Sequence, residues 1–230
     1  MKGIAYGVGI GPGDPKLMTI KAIELIREND VIAVPGKDPK ASVAYRIAAA
    51  VVPEIAEKKL IPVEMPMIKD REKIDEAHRK AAKKLETHLQ NGENVVYLTL
   101  GDSTLYCTFT YIQHYLEADG YSVELIPGIS SVMASAARLG IPLTEWDEPL
   151  HILPAAHRTE DALEKEGTYV LMKTASHMKE IKELLRNSGR QVQAVLNCGM
   201  ENERICRSLE EIPEDAGYFT LLIAKQKKLL

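Results

Sequence analysis

Glycines stand at alternate positions in GVGIGPGD (7–14), so Gly7, Gly9, Gly11 and Gly13 bare the main chain where the apolar run 4–8 ends. Glycine accepts positive φ and carries no Cβ, which lets another molecule approach the backbone there. Asp14 and Pro15 then supply an N-cap and a first helical residue for LMTIKAIELI. The spacing is close to a dinucleotide fingerprint, but Pro12 breaks G-x-G-x-x-G. The next apolar run, 31–34, ends in Pro35-Gly36 rather than in an acid for a ribose hydroxyl, and Asp30 stands at its wrong end. A tight strand-to-helix turn is the plain alternative. A second such loop is LTLGDSTLY (98–106), where Gly101 permits a sharp turn, Asp102 or Ser103 caps the following helix, and open amides would receive an anion. An ordinary N-cap explains the same residues. In a third, PGISSVMASAARLGIPL (127–143), Ser130 and Ser131 open an alanine-rich helix whose small residues suit close packing or close ligand approach. Later, Met172-Lys173 and Asn197-Cys198-Gly199-Met200 suit either the apolar wall of an adenine pocket or simple core filling.

Other chemistries find less support. The six histidines are scattered without metal-ligand spacing, and Cys107, Cys198 and Cys206 are an odd set with no CxxC, so reduced thiols are expected and no metal site. A formal charge of −4 and a pI near 5.9, with two Phe and one Trp, speak against a nucleic-acid binder and for a small-molecule partner. The start MKGIAYGVGIG enters a strand pattern directly, and no window approaches the length needed to span a bilayer, so the expectation is a cytoplasmic protein without membrane association.

The elements that position the loops follow from periodicity. Strand-like runs at 4–8, 31–34, 60–63 and 95–100 alternate with helical stretches from Pro15, at 42–51, 71–90 and 104–117, a doubly wound, mostly parallel α/β pattern. Such sheets bind ligands beyond the carboxyl ends of their strands, where the loops at Gly9, Pro35 and Gly101 gather. A boundary near Glu117 gives two domains, 1–117 and 118–230. The second has strands near 122–126, 150–153, 168–172, 192–197 and 218–224 and helices at 130–139 and 176–187, which points to a mixed sheet. The charged stretch from Lys69 to Lys84 carries Ile74, Ala77, Ala81 and Leu85 at helical spacing, and a solvated amphipathic helix accounts for it.

Taken together and in this order, GVGIGPGDPKLMTIKA, AVP, LTLGDSTLYCTFTYI, IPGISSVMASAARLGIPL and LNCGMENER resemble the tetrapyrrole methyltransferase family, the class III S-adenosylmethionine-dependent methyltransferases. The resemblance covers nearly the whole chain. YLTLGDSTLY, PGISS, AARLGIPL, ILPA and CGMENE look most like the cobalamin-pathway members that methylate carbon 20 of precorrin-2 or of its cobalt form, cobalt-factor II. The resemblance implies two α/β domains with S-adenosylmethionine in the cleft between them, a tetrapyrrole substrate and a homodimer. Carried over by position, the cofactor contacts fall on Ile10, Pro35, Leu100, Gly101, Asp102, Leu105, Ser130, Ser131, Met172 and Cys198, many through the backbone. Two departures stand out: the usual G-D-P is Gly101-Asp102-Ser103, and the usual Pro-Gly-x-Thr/Ser-Ala/Ser is Pro127-Gly128-Ile129-Ser130-Ser131. The implied chemistry needs no protein nucleophile, because an electron-rich meso carbon attacks a sulfonium methyl directly, and positioning with exclusion of water carries the catalysis. Asp14, Asp102 and Tyr106 are the loop residues able to take the ring proton, and Asp14 and Tyr106 are placed at the substrate. Arg46, with Lys37 and Lys40, is placed to pair with ring carboxylates or else is a solvated cation. Methylation at another ring position, a diphthamide-type substrate and a dinucleotide-binding module are the alternatives.

Overall fold

All five residues of VVYLT (95–99) are buried, and the strand they form is the middle of a five-stranded sheet ordered β3-β2-β4-β1-β5. The computed structural model describes residues 1–66, 68, 70–154, 163–174 and 177–226 of the chain. The strands of this first sheet are β1 (Ile4–Gly9), β2 (Val31–Pro35), β3 (Lys59–Val63), β4 (Val95–Thr99) and β5 (Ser122–Ile126), and every pair is parallel. Alternation along β4 divides the core. Val96 and Leu98 face α1 (Ile20–Glu28) and α2 (Val43–Val51) through Ile26, Ala48 and their neighbours. Val95 and Tyr97 face α3 (Arg71–Gln90) and α4 (Phe109–Ala118) through Leu85, Phe109 and Ile112. Helices on both faces of a parallel sheet make the doubly wound layer that the alternating pattern implies.

The second sheet, ordered β6-β7-β10-β8-β9, is mixed: β6 (Leu150–Pro154) runs parallel to β7 (Thr168–Met172), while β8 (Gln191–Leu196), β9 (Arg204–Cys206) and β10 (Thr220–Lys225) join antiparallel. The α5 helix (Ser131–Leu139) meets β8 and β10, and α6 (Met178–Asn187) supplies Ile181 and Leu185 to a core with Tyr169, Leu171, Ala194 and Leu222.

Several local expectations change. The chain divides into units Met1–Ser130 and Ser131–Leu230, not near Glu117, because β5 pairs with β1 and so completes the first sheet. Asp14 caps only a 3-10 turn over Pro15–Leu17, and Thr19, whose hydroxyl oxygen accepts the Ala22 amide, caps α1. The helix expected from residue 104 starts at Phe109. The short β9 was not anticipated, and the expected helix start at 176 lies outside the described residues.

Candidate active site

In the first unit the loops after β1, β4 and β5 touch main chain to main chain. A Cβ added at Gly128 would lie 2.3 Å from the Gly101 carbonyl oxygen, and one at Gly9 would lie 2.7 Å from the Gly128 nitrogen. Gly11 and Gly101, at φ of 85° and 76°, exchange hydrogen bonds: the Gly11 amide donates to the Gly101 carbonyl at 3.1 Å and the Gly101 amide to the Gly11 carbonyl at 2.7 Å. The bareness read as room for a ligand is thus used first to let three loops close on one another. Gly7 is bare for another reason, since its Cβ would lie 2.3 Å from the Phe109 ring.

Asp102 ties this assembly together. One carboxylate oxygen accepts the Gly128 amide at 2.9 Å, and the other accepts the Thr104 amide at 2.8 Å and the Thr104 hydroxyl. Burial pushes its pKa upward, but the Thr104 hydroxyl and the amides of Gly128, Thr104 and Leu105 together outweigh that and hold it below the ordinary carboxylate value. An ionised carboxylate already filled with donors is a poor proton acceptor, so Asp102 acts as a clamp between the second and third loops rather than as the base or helix cap. Ser103 is fully buried and donates to the Ile126 carbonyl at 2.9 Å, a second tie between the same loops.

The other expected residues of this unit fall as follows. Ile10 is completely buried in the core, with its amide on the Thr99 carbonyl, so its side chain is not available to a ligand. Leu100 and Leu105 are half-buried beside Gly101, and Pro35 closes β2, the neighbour of β4. Asp14 spends one oxygen on the Lys16 amide at 2.9 Å. Tyr106 sits at φ 50°, a left-handed conformation costly for an aromatic residue, and 41% of its surface is exposed. Arg46 is exposed in the first turn of α2, Lys40 belongs to a 3-10 turn over Pro39–Ala41, and Ser130 is half-buried where the unit ends.

In the second unit, Met172 and the residues after Leu196 come to one end of the sheet, on either side of β10, where Leu221 pairs with Met172 and Thr220 with Leu196. Ser131 opens α5. Lys173 and Asn197, immediately after β7 and β8, both adopt positive φ, 58° and 52°. Two left-handed non-glycine residues at one sheet end are a cost that packing must offset. The Asn197 amide donates to the Phe219 carbonyl at 2.8 Å, and the Gly199 amide donates to Glu203 at 2.7 Å. Glu203 in turn receives the Arg138 Nε at 2.8 and 3.1 Å, its Nη2 adding a third bond. Burial raises the Glu203 pKa, but Arg138 and the Gly199 amide outweigh it and keep the carboxylate ionised. Burial pushes the Cys198 thiol above its ordinary value, which keeps it neutral rather than a nucleophilic thiolate. Thr174 is fully buried, and its hydroxyl has no partner among the described residues, an open polar group two residues beyond Met172. Sequence reasoning missed Thr174 and the Arg138–Glu203 pair; the acid in CGMENE, four residues past Gly199, was the available signal.

A family model, Tetrapyrrole (Corrin/Porphyrin) Methylases, matches residues 5–213. The chain belongs to this family. Its curated relatives include the probable cobalt-precorrin-2 C(20)-methyltransferase of Methanocaldococcus jannaschii, 37% identical over 97% of this chain and 96% of that protein. The precorrin-2 C(20)-methyltransferase of a Sinorhizobium species is 29% identical over 96% of this chain and 94% of its own. Among solved structures, the Thermus thermophilus uroporphyrin-III C-methyltransferase, complexed with S-adenosylhomocysteine, superimposes with a TM-score of 0.72 at 23% identity, covering 97% of each chain. That likeness establishes that the methylase shares this fold. Among the described residues of the present chain no helix is long and apolar enough to cross a membrane.

Proposed function

We propose that this chain transfers the methyl group of S-adenosylmethionine to carbon 20 of precorrin-2 or of its cobalt form. The observation that carries the reading is the 37% identity, along almost the full length of both chains, to a probable cobalt-precorrin-2 C(20)-methyltransferase. The residues fit the donor. The main chain at Ile10, Gly101 and Asp102, together with Pro35, Leu100, Leu105, Ser130, Ser131, Met172 and Cys198, is proposed to hold it. The apolar Met172 and neutral Cys198, with a Thr174 hydroxyl that has no partner among the described residues, suit the polar-edged, otherwise apolar adenosine. Bound S-adenosylmethionine supplies a methyl carbon on a cationic sulfur; as the ring carbon bonds to that carbon, the carbon–sulfur bond breaks and the ring carbon loses its proton.

The protein's share of this chemistry is positioning. The glycine contacts and the Asp102 clamp fix the strand-end loops before anything binds, so little reorganisation is left for the reaction. With Asp102 committed, Asp14 and Tyr106 are the proposed groups at the substrate, the Asp14 carboxylate being the one able to receive the ring proton and the Tyr106 hydroxyl a hydrogen-bonding group. Arg46 is proposed to pair with a ring carboxylate; Arg46→Ala then raises the KM for the tetrapyrrole about tenfold, ~1.4 kcal/mol, with S-adenosylhomocysteine affinity unchanged. Equal kinetics in steady-state assays return Arg46 to the solvated surface. The same reading makes the protein a cytoplasmic homodimer, which sedimentation of the purified chain tests for the oligomer. The deciding experiment supplies methyl-labelled S-adenosylmethionine with precorrin-2 or with cobalt-factor II and locates the label by NMR. Label at carbon 20 supports the assignment, and label elsewhere or on neither ring overturns it.

A further inference from the structure

The charged helix α3, to which the site above assigns no part, forms one wall of a cleft of about 630 Å³. The opposite wall is the edge strand β3 with the residues that follow it, Pro62, Val63, Met65 and Pro66. The space exists because α3 presents Ala77 and Ala81, one turn apart, where longer side chains would fill it. Around this apolar interior stand three ammonium groups, Lys37, Lys80 and Lys84, against one carboxylate, Glu64. Lys84 is fixed by donating to the Pro62 carbonyl at 2.7 Å, which leaves two of its three N–H groups open to an anion. Lys37 lies 3.8 Å from Glu64, a loose and highly exposed pair, and Lys80 reaches Glu76, outside the cleft, at 2.7 Å.

Gly36, Lys37 and the residues from Val63 to Pro66 place one end of the cleft at the carboxyl ends of β2 and β3, the same end of the sheet that carries the glycine loops. With strands spaced about 4.8 Å apart, the end of β3 lies roughly 10 Å from that of β4 and roughly 15 Å from that of β1. A volume of this size with an apolar interior and a few placed charges is typical of a small-molecule site. Resting on the proposed function, we propose that this cleft is the far subsite for the tetrapyrrole, taking an edge of the ring and its acid side chains while the reacting carbon lies at the glycine loops. The apolar walls take the ring's methylene-bearing edge, and Lys80 and Lys84 pair with its carboxylates.

The test uses the full chain and a stable octacarboxylate porphyrin, uroporphyrin I, titrated by its fluorescence. The wild type binds it, and Lys80→Ala with Lys84→Ala weakens that binding at least tenfold. Lys80→Glu, which leaves the Lys84 contact to the backbone in place, weakens it further than Lys80→Ala. Ala77→Leu fills the cleft without altering charge and also weakens it. In turnover the lysine variants raise the KM for the tetrapyrrole and leave kcat and S-adenosylhomocysteine affinity at wild-type values. Failure of the wild type to bind the porphyrin, unchanged affinity and KM in the lysine variants, or a parallel loss of S-adenosylhomocysteine affinity overturns the proposal. Lysine-dependent porphyrin binding in a protein that methylates neither precorrin-2 nor cobalt-factor II supports the cleft and defeats the carbon-20 reading instead.

Discussion

In the first unit the turns after β1, β4 and β5 are held by missing side chains, with Gly9, Gly101 and Gly128 in main-chain contact. In the second unit the turn after β8 is held by present ones, Glu203 gripping the Gly199 amide and being gripped by Arg138. The difference lies in what each can absorb. Backbone packed against backbone has no rotamer to change, so an added atom must displace a whole loop. An ion pair beside a turn yields gradually, since both side chains have other conformations and water can replace part of the bonding.

The largest expected effect therefore comes from the smallest substitution. Gly128→Ala places a methyl 2.3 Å from the Gly101 carbonyl oxygen and 2.6 Å from the Gly9 carbonyl carbon. We expect a loss of ~3 kcal/mol in denaturant unfolding and methyl transfer reduced by two or more orders of magnitude. Gly217→Ala is the matched control, because nothing lies within 4 Å of its added Cβ. Equal stability of the two variants would break the account of the first unit.

Asp102→Asn comes next. One amide group keeps an acceptor but must place its N–H₂ where Gly128 or Thr104 offers a donor, costing ~2 kcal/mol at pH 7. The sign with pH is fixed by linkage. The folded pKa of Asp102 is depressed below an ordinary value of 3.8, so its contribution is present above that pH and is lost as pH falls through the folded value. The wild type then loses this increment in acid while the variant has none to lose, and their unfolding midpoints converge below pH 3.8. Midpoints that stay equally far apart down to the acid end would assign the effect to packing instead of charge.

How much of this was legible in the sequence differs between the regions for the same physical reasons. The strands β2 and β4 are almost wholly buried runs and β1 a partly buried one, and α3 spans the expected 71–90 because Asp70 accepts the Lys73 amide and its apolar residues recur at helical spacing. SVELI (122–126) gives no local sign of which sheet it joins; only its pairing with β1, far away in sequence, decides that, and the expected boundary moved with it. The late start of α4 was hidden because Asp102 takes the Thr104 amide and Tyr106 turns left-handed, so TLYCT cannot begin a helix. The glycines of these loops were plain, but their composition is silent on whether a bare backbone faces a ligand or another loop. Glu203 is held by Arg138, 65 residues away, and the buried Thr174 hydroxyl has no partner among the described residues; local spacing encodes neither.

The smallest effect should be Glu203→Gln. The glutamine still accepts the Gly199 amide through its carbonyl oxygen, while the charge that draws Arg138 is gone. Because the Arg138 side chain is 58% exposed and Glu203 only 12%, solvent screens much of what the pair contributes, and the expected cost is ~1 kcal/mol. If the turn it holds presents Cys198 to the donor, S-adenosylhomocysteine affinity falls about fivefold, the same ~1 kcal/mol, with kcat nearly unchanged. Glu203→Ala, which also removes the acceptor for Gly199, should cost more on both readouts, separating the bond to the backbone from the ion pair. A Glu203→Gln penalty as large as that of Gly128→Ala would show that the second unit's turn is as unforgiving as the first's, and that the contrast between bare backbone and paired side chains does not govern this molecule.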